Sequence, residues 1–234
     1  GPFEEENPFL GCRSIRYCFA HPELFREQLR AILRVSALGQ VRLMLPMITA
    51  VQELEQALLI IEHVKGELRE DGIAFDENIE IGIMLEVASA AIIADLIAPM
   101  VSFFSIGTND LVQYTLAVDR GNQLVAGLYD PVHPAILRLL TNIISVGEKE
   151  QIPVSLCGEM ASEPLYIPLL IGIGIRSLSV SPTAIPEVKR IIRSVKAYEC
   201  QDLVRECQSL IDGGTIAQTL AKWGKKHLPD TGRT

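Results

Sequence analysis

Five short apolar runs rich in branched residues recur along the chain: Val41 to Met47, Ile79 to Glu86, Val101 to Ile106, Ile152 to Cys157 and Ser177 to Ser181. Each reads as a buried strand. Between them, in Pro22 to Ser36, Gln52 to Arg69, Ala90 to Ala98, Pro134 to Lys149 and Ile185 to Val195, apolar positions return every three or four residues, the period of a helix with one buried face. Strands alternating with amphipathic helices imply right-handed βαβ units and a parallel sheet, either closed as a barrel or open and doubly wound. Polar residues bear on that choice because they gather at strand C-terminal ends: Glu86, then Asn109 and Asp110, then Cys157 and Glu159, then Ser181. A barrel brings all these ends to one mouth, whereas an open sheet spreads them along an edge. Past the fifth run, Asp202 to Lys226 reads as one or two polar helices with Gly213-Gly214 as a break, and Leu228 to Thr234 as a frayed tail. No internal repeat, low-complexity segment or second domain is visible.

Composition narrows the class. A chain of 234 residues suits a single α/β domain, which commonly runs to about 250 residues. The net charge of -8 and an aromatic content of 6% lack the clustered Lys and Arg of a nucleic-acid footprint. No apolar stretch reaches the roughly 20 residues of a membrane span, and the N-terminus has neither the basic nor the apolar region of a signal peptide. The expectation is a cytoplasmic protein with no membrane and no nucleic-acid partner. Cys12, Cys18, Cys157, Cys200 and Cys207 are odd in number and follow no CxxC pattern, so they read as reduced thiols. Gly1-Pro2, with no initiating Met, reads as a cloning remnant on a piece of something longer.

The chemistry concentrates in Ser105-Ile106-Gly107-Thr108-Asn109-Asp110-Leu111 and Val118-Asp119-Arg120-Gly121-Asn122. A strand ending in a small-residue turn offers backbone N–H groups, an amide and a carboxylate, with a guanidinium ten residues after that carboxylate. A phosphorylated carboxylic acid with bound Mg²⁺ requires such groups. Glu86 ends a run apolar enough to be buried on both faces, so its carboxylate must be solvated, metal-bound, paired with an Arg, or used as a helix cap. Asp110 reads either as a plain helix N-cap or, with Glu86 on the neighbouring strand end, as half of a Mg²⁺ site completed by substrate and waters. Cys157 by its spacing fits a small core residue, yet the turn at Gly158 would aim its thiol at a barrel mouth, where a thiol of ordinary pKa is a proton donor at neutral pH. Arg120, in a turn, and Arg13, in the Pro/Gly loop Asn7 to Arg13, read either as surface residues or as clamps for phosphate or carboxylate. Gly172-Ile173-Gly174 reads as a helix C-terminal turn and His133 as a helix start. His21, His63 and His227 share no metal-ligand spacing.

At these motifs the chain resembles the phosphoenolpyruvate-binding domain of the enzyme I family of the bacterial phosphotransferase system. The resemblance runs through Glu6 to Arg16, Gly82-Ile83-Met84-Leu85-Glu86, Phe104 to Leu111, Tyr114 to Asn122 and Leu156-Cys157-Gly158-Glu159-Met160-Ala161, in the family's order. Tyr129-Asp130-Pro131-Val132-His133-Pro134 and His21-Pro22-Glu23 are similar to its nitrogen-related branch. The resemblance implies a (β/α)₈ TIM-type barrel, here cut to strands four to eight plus C-terminal helices over residues 1–234. It implies that Glu86 and Asp110 hold Mg²⁺, that Asn109 and nearby backbone N–H groups hold phosphate, that Arg13 and Arg120 clamp the substrate, and that Cys157 protonates the enolate to release pyruvate. The implied partners are phosphoenolpyruvate and pyruvate, a phosphocarrier protein reached through missing N-terminal domains, and a second copy in a homodimer.

The departures are specific. The family's first barrel strands, with two further substrate arginines, precede the Asn-Pro-Phe-Leu-Gly loop near which this sequence begins, and its phosphorylatable His domain is absent too. Cys12 stands where the family has an aromatic, and Ala88 where it has Pro. The expectation is a substrate-binding portion of an enzyme I, inactive in transfer on its own. Two other readings stand beside it: a non-catalytic dimerisation or regulatory module, and a Mg²⁺-dependent lyase acting on pyruvate or oxaloacetate in a related barrel.

Overall fold

The computed structural model describes residues 5–229. Gly1-Pro2 and residues 230–234 of the expected frayed tail lie outside them. In chain order the elements are α1 (Ile15–Ala20), α2 (Pro22–Ser36), β1 (Arg42–Leu45), α3 (Val51–Glu70), β2 (Glu80–Leu85), α4 (Ala88–Ile92), α5 (Ala94–Ile97), β3 (Phe103–Gly107), α6 (Thr108–Leu116), α7 (Pro134–Glu150), β4 (Val154–Cys157), α8 (Ile167–Ile173), β5 (Ser177–Ser179), α9 (Ile185–Ser194), α10 (Ala197–Gln208) and α11 (Gly213–His227). All five apolar runs are strands. They form one parallel sheet in the order β1-β2-β3-β4-β5.

The sheet's two faces differ in chemistry. Leu43, Leu45, Ile83, Leu85, Phe104, Ile106 and Leu156 are buried in the main core with the helices. Alternate positions fall on the opposite face: Met84 opposite Ser105, Ser105 opposite Ser155, and Ser155 opposite Ser177. The run Ile81 to Leu85, expected to be buried on both faces, therefore buries one face with branched residues and presents Gly82 and Met84 on the other. Parallel strands in chain order, linked by crossovers of one hand, keep their helices on a single side. The small and polar side is what remains.

The helices follow their periodicity. In α2, Phe25, Leu29 and Leu33 are buried at four-residue spacing against α3, which buries Leu54, Ala57, Ile61, Val64 and Leu68. Arg26 and Arg30 tie the pair together from outside through Glu67 and Asp71. His133 starts α7, its Nδ1 accepting the Ala135 N–H at 3.1 Å.

Two helical segments depart from expectation, Ala90 to Ala98 and α1. Ala90 to Ala98 is not one helix: α4 and α5 are separated at Ile93 (φ -96, ψ 24) and followed by a 3₁₀ turn containing Pro99, whose ring cannot continue a helix. Gly213-Gly214 falls at the expected break: α10 ends at Gln208, and Gly213 opens α11, whose N-cap Asp212 accepts the Thr215 N–H at 2.8 Å. The short α1 had no periodic signature.

Gly174 ends α8 in the left-handed region (φ +116), as the turn reading requires. Gly172 serves a different purpose. A Cβ there would lie 2.1 Å from the Cys200 carbonyl oxygen, so its bare Cα lets α8 and α10 touch backbone to backbone. Gly172→Ala should destabilise the chain by about 1–3 kcal/mol, read as a lower denaturation midpoint. An unchanged midpoint would contradict the close approach.

Candidate active site

The site is assembled at the C-terminal ends of β1 to β4. Leu85 pairs with Ile106 and Gly107 with Cys157, so Glu86, Gly107 and Cys157 stand in one row across three strands. Gly107 leaves room for the acid beside it. A Cβ on Gly107 would sit 3.1 Å from both Cβ and Oε2 of Glu86.

Glu86 is buried, 6% exposed, and its Oε1 accepts the Met47 N–H at 2.8 Å. Met47, just beyond β1, can present that N–H because its backbone takes a positive φ of 56°, unusual for a side chain of its size. Burial pushes the Glu86 carboxyl above the usual range; the Met47 N–H pulls it down, the nearby Asp110 charge pushes it up further, and Arg13 pulls it down.

Asp110 is the third residue of α6, also buried, and makes no cap. The plain N-cap reading does not apply, since Gly107 occupies that position. Its carboxylate instead lies between two guanidinium groups: Arg13 at 3.2 Å from Oδ2 and Arg120 at 3.9 Å from Oδ1. Arg120 also stands 3.8 Å from Glu159 Oε1. Its turn is built by Asp119, whose Oδ1 accepts the Gly121 N–H, and is tied to α6 where Gln113 Oε1 accepts the Arg120 N–H at 3.1 Å.

Asn109 follows Thr108, whose hydroxyl donates to the Cys157 carbonyl at 2.9 Å and so fixes the start of α6 against the end of β4. Asn109 Oδ1 accepts the Glu159 N–H at 3.0 Å. Gly158 makes this contact feasible: at φ +106 it turns the chain sharply, and a Cβ would meet Thr108 Oγ1 at 2.3 Å. Tyr129, its hydroxyl pushed up to about 12 mainly by burial, donates to the Asn109 carbonyl at 3.3 Å.

Cys157 is half-buried, and its thiol donates to the Ile106 carbonyl at 3.5 Å. Burial pushes the thiol up, a hydrogen bond from Ser105 pulls it down, the Glu86 charge pushes it up and its own backbone N–H pulls it down. It holds its proton at neutral pH.

Glu86, Asp110, Asn109, Arg13, Arg120 and Cys157, separated by up to 144 residues in sequence, thus gather at one end of the sheet. Reading the sequence did not single out Met47, Gln113, Tyr114 or Tyr129. Gln113 and Tyr114 had a signal, lying three and four residues beyond Asp110 and hence on its face of a helix. Met47 had none, because its contribution is a backbone N–H.

Could these residues hold a metal? Among the described residues no group of three His, Cys, Asp or Glu side chains has metal-ligand geometry. Two buried carboxylates in electrostatic contact do fit Mg²⁺, which takes one or two carboxylates and leaves the other positions to substrate and water.

The fold and site together define an α/β domain whose charged side chains, two buried acids and two arginines among them, gather at the carboxyl ends of parallel strands. The family described as PEP-utilising enzyme, PEP-binding domain matches residues 2–197. The chain belongs to this family. Among curated relatives named phosphoenolpyruvate-protein phosphotransferase, that of Staphylococcus carnosus (strain TM300) is 46% identical over 86% of this chain and 35% of its own length. That of Bacillus subtilis (strain 168) is 45% identical over 88% and 36%, and that of Listeria monocytogenes (strain EGD-e) 43% over 94% and 38%. The chain spans a little over a third of the length of these relatives. A citrate lyase structure from Burkholderia xenovorans LB400 matches with a TM-score of 0.54, covering 89% of this chain and 70% of that one at 20% identity, a likeness of fold alone.

The raised Glu86 carboxyl has a consequence for the metal-free chain. A folded-state pKa above the unfolded value of about 4.3 means that ionised Glu86 opposes folding, and that stability is gained as pH falls through the folded value towards the unfolded one. Glu86→Gln keeps an acceptor for the Met47 N–H and removes the charge. It should raise the thermal midpoint at neutral pH in a chelator, with the gain disappearing below about pH 4.3. A lower midpoint at neutral pH would contradict the assignment.

Proposed function

We propose that this chain is the phosphoenolpyruvate-binding portion of an enzyme I of the phosphotransferase system, and that its five strands are strands four to eight of a (β/α)₈ barrel. The parent enzyme transfers the phosphoryl group of phosphoenolpyruvate to a histidine in another domain, from which a phosphocarrier protein takes it. One observation carries this reading: Asp110 lies between Arg13 and Arg120, within electrostatic reach of buried Glu86, with the Cys157 thiol in the same row of strand ends as Glu86. The face bearing Met84, Ser105, Ser155 and Ser177 suits a barrel interior, and the uncovered edges of β1 and β5 suit pairing with the remaining strands. The parent works in the cytoplasm, and its copies pair as a homodimer.

Glu86 and Asp110 are the residues that would hold Mg²⁺. The ion, when bound, neutralises charge on the phosphate during transfer. Arg13 and Arg120 bind the substrate's anionic groups by bidentate hydrogen bonds. Asn109, its Oδ1 occupied by the Glu159 N–H, turns its amide nitrogen towards the phosphate. As the bond between phosphorus and the enol oxygen breaks and phosphorus bonds to the acceptor nitrogen, C3 of the enolate takes the proton from Cys157 Sγ. Pyruvate and a thiolate result. A thiol held protonated by burial suits this step, and the low sequence identity to the lyase gives no reason to prefer a cleavage reaction.

Calorimetric titration of the chain with phosphoenolpyruvate should show Mg²⁺-dependent binding that weakens at least tenfold in Glu86→Ala; sub-millimolar affinity indifferent to that change would overturn the metal site. In the full-length enzyme, Cys157→Ser should lower pyruvate formation by about 10²–10⁴-fold. The wild-type rate in that direction should fall only above the ordinary thiol range of about pH 8.5. A serine variant of undiminished rate would remove Cys157 from the chemistry. The isolated chain should transfer no phosphoryl group.

A further inference from the structure

Loop Asn7 to Arg13 reaches over the site without being packed down. Its 3₁₀ turn, Pro8–Leu10, buries no residue. Beneath it lies a cavity of about 470 Å³, walled by Phe9, Leu10, Met47, Val87, Tyr114 and Val118 among others. Arg16 of α1 donates to the Leu10 and Gly11 carbonyls, and the Cys12 N–H donates to Glu5, so these bonds tie the loop only to its neighbours in sequence. At the loop's end Ser14 takes φ 55, ψ -128, a conformation that costs on the order of 1–3 kcal/mol and persists only where the surroundings enforce it.

The contacts that hold the preceding loop come from α6. Tyr114 donates its hydroxyl proton to the Phe9 carbonyl at 2.6 Å and accepts from Arg13 Nη1 at 3.1 Å. One turn earlier, Asp110 holds Arg13 Nη2 at 3.2 Å. The Arg13 guanidinium also lies over the Phe9 ring, 5.6 Å from its centroid. A single hydroxyl therefore joins the loop backbone to the guanidinium. A hydroxyl has one proton, and the short bond to Phe9 commits it, leaving a lone pair aimed at Arg13.

We infer that Tyr114 is a positioning residue: it latches loop Asn7 to Arg13 onto α6 and thereby sets where Arg13 meets the phosphorylated substrate. This rests on the functional reading above for the identity of the ligand, while the latch itself is a property of the ligand-free fold. Tyr114 touches no reacting atom. Its effect on binding runs entirely through Arg13.

The test uses Tyr114→Phe, which keeps the ring and removes the hydroxyl. Without ligand, amide hydrogen exchange at Leu10, Gly11, Cys12 and Arg13 should quicken about tenfold, while the buried strand β3 exchanges as before. Unchanged exchange in the loop overturns the latch, and equal acceleration in β3 overturns it in favour of general destabilisation. With phosphoenolpyruvate and Mg²⁺, Tyr114→Phe should bind about tenfold more weakly. In an Arg13→Ala background the same change should cost nothing further, since the interaction it serves is gone. Additive losses would show that Tyr114 does not act through Arg13. If the parent chain binds no phosphoenolpyruvate, the functional reading fails, and the exchange measurement still decides the latch.

Discussion

The site depends on the parallel register of β2, β3 and β4. Pairing Leu85 with Ile106 and Gly107 with Cys157 brings the ends of three strands level, so that a carboxylate, a glycine and a thiol lie side by side. Because side chains alternate along a strand, a slip of one residue would send Glu86 into the helix-side core and a leucine to the mouth. The same alternation keeps Phe104, Ile106 and Leu156 in the core, so hydrophobic burial and site geometry enforce one register together. Stability and chemistry are here set by the same pairing.

Upon that row the electrostatics are arranged in opposition. Glu86 and Asp110 repel each other in a poorly solvated corner, and Arg13 and Arg120 offset part of that repulsion from the rim. Two ionised carboxylates so placed oppose folding, and under the proposed function a dication would relieve that repulsion. Cys157 lies in the same field, and burial, with a smaller push from the Glu86 charge, keeps its proton in place. Helix α6 supplies Asn109 and Asp110 to the mouth, and one turn later Gln113 and Tyr114 to the loops that carry the two arginines. Rigid secondary structure thus orients groups that belong to irregular segments.

Much of the candidate site is legible in the amino-acid sequence. Glu86, Asn109, Asp110 and Cys157 announce themselves because polar side chains at the ends of apolar strands need a reason to be there. Arg120 was legible from the turn composition around it. Tyr114 was not, since one more aromatic on an amphipathic helix looks like packing until its hydroxyl is seen between Phe9 and Arg13. Met47 was invisible in principle, because a backbone N–H acts through its direction and leaves no mark on residue identity. Gly172 was legible as a glycine near a helix end, but its contact with Cys200 comes from a helix distant in sequence.

By itself the sequence determined the five strands, most of the helices, the class of fold and the residues with chemistry to offer, because periodicity and local preference are written in neighbouring residues. The tertiary structure alone decided the strand order and register, the separation of an apolar face from a small and polar one, the double ion pairing of Asp110 and the attachment of the Asn7 to Arg13 loop. These depend on contacts between residues as far apart as 105 positions, Phe9 and Tyr114 among them. Such contacts are settled by packing the whole chain at once, and no local pattern specifies them.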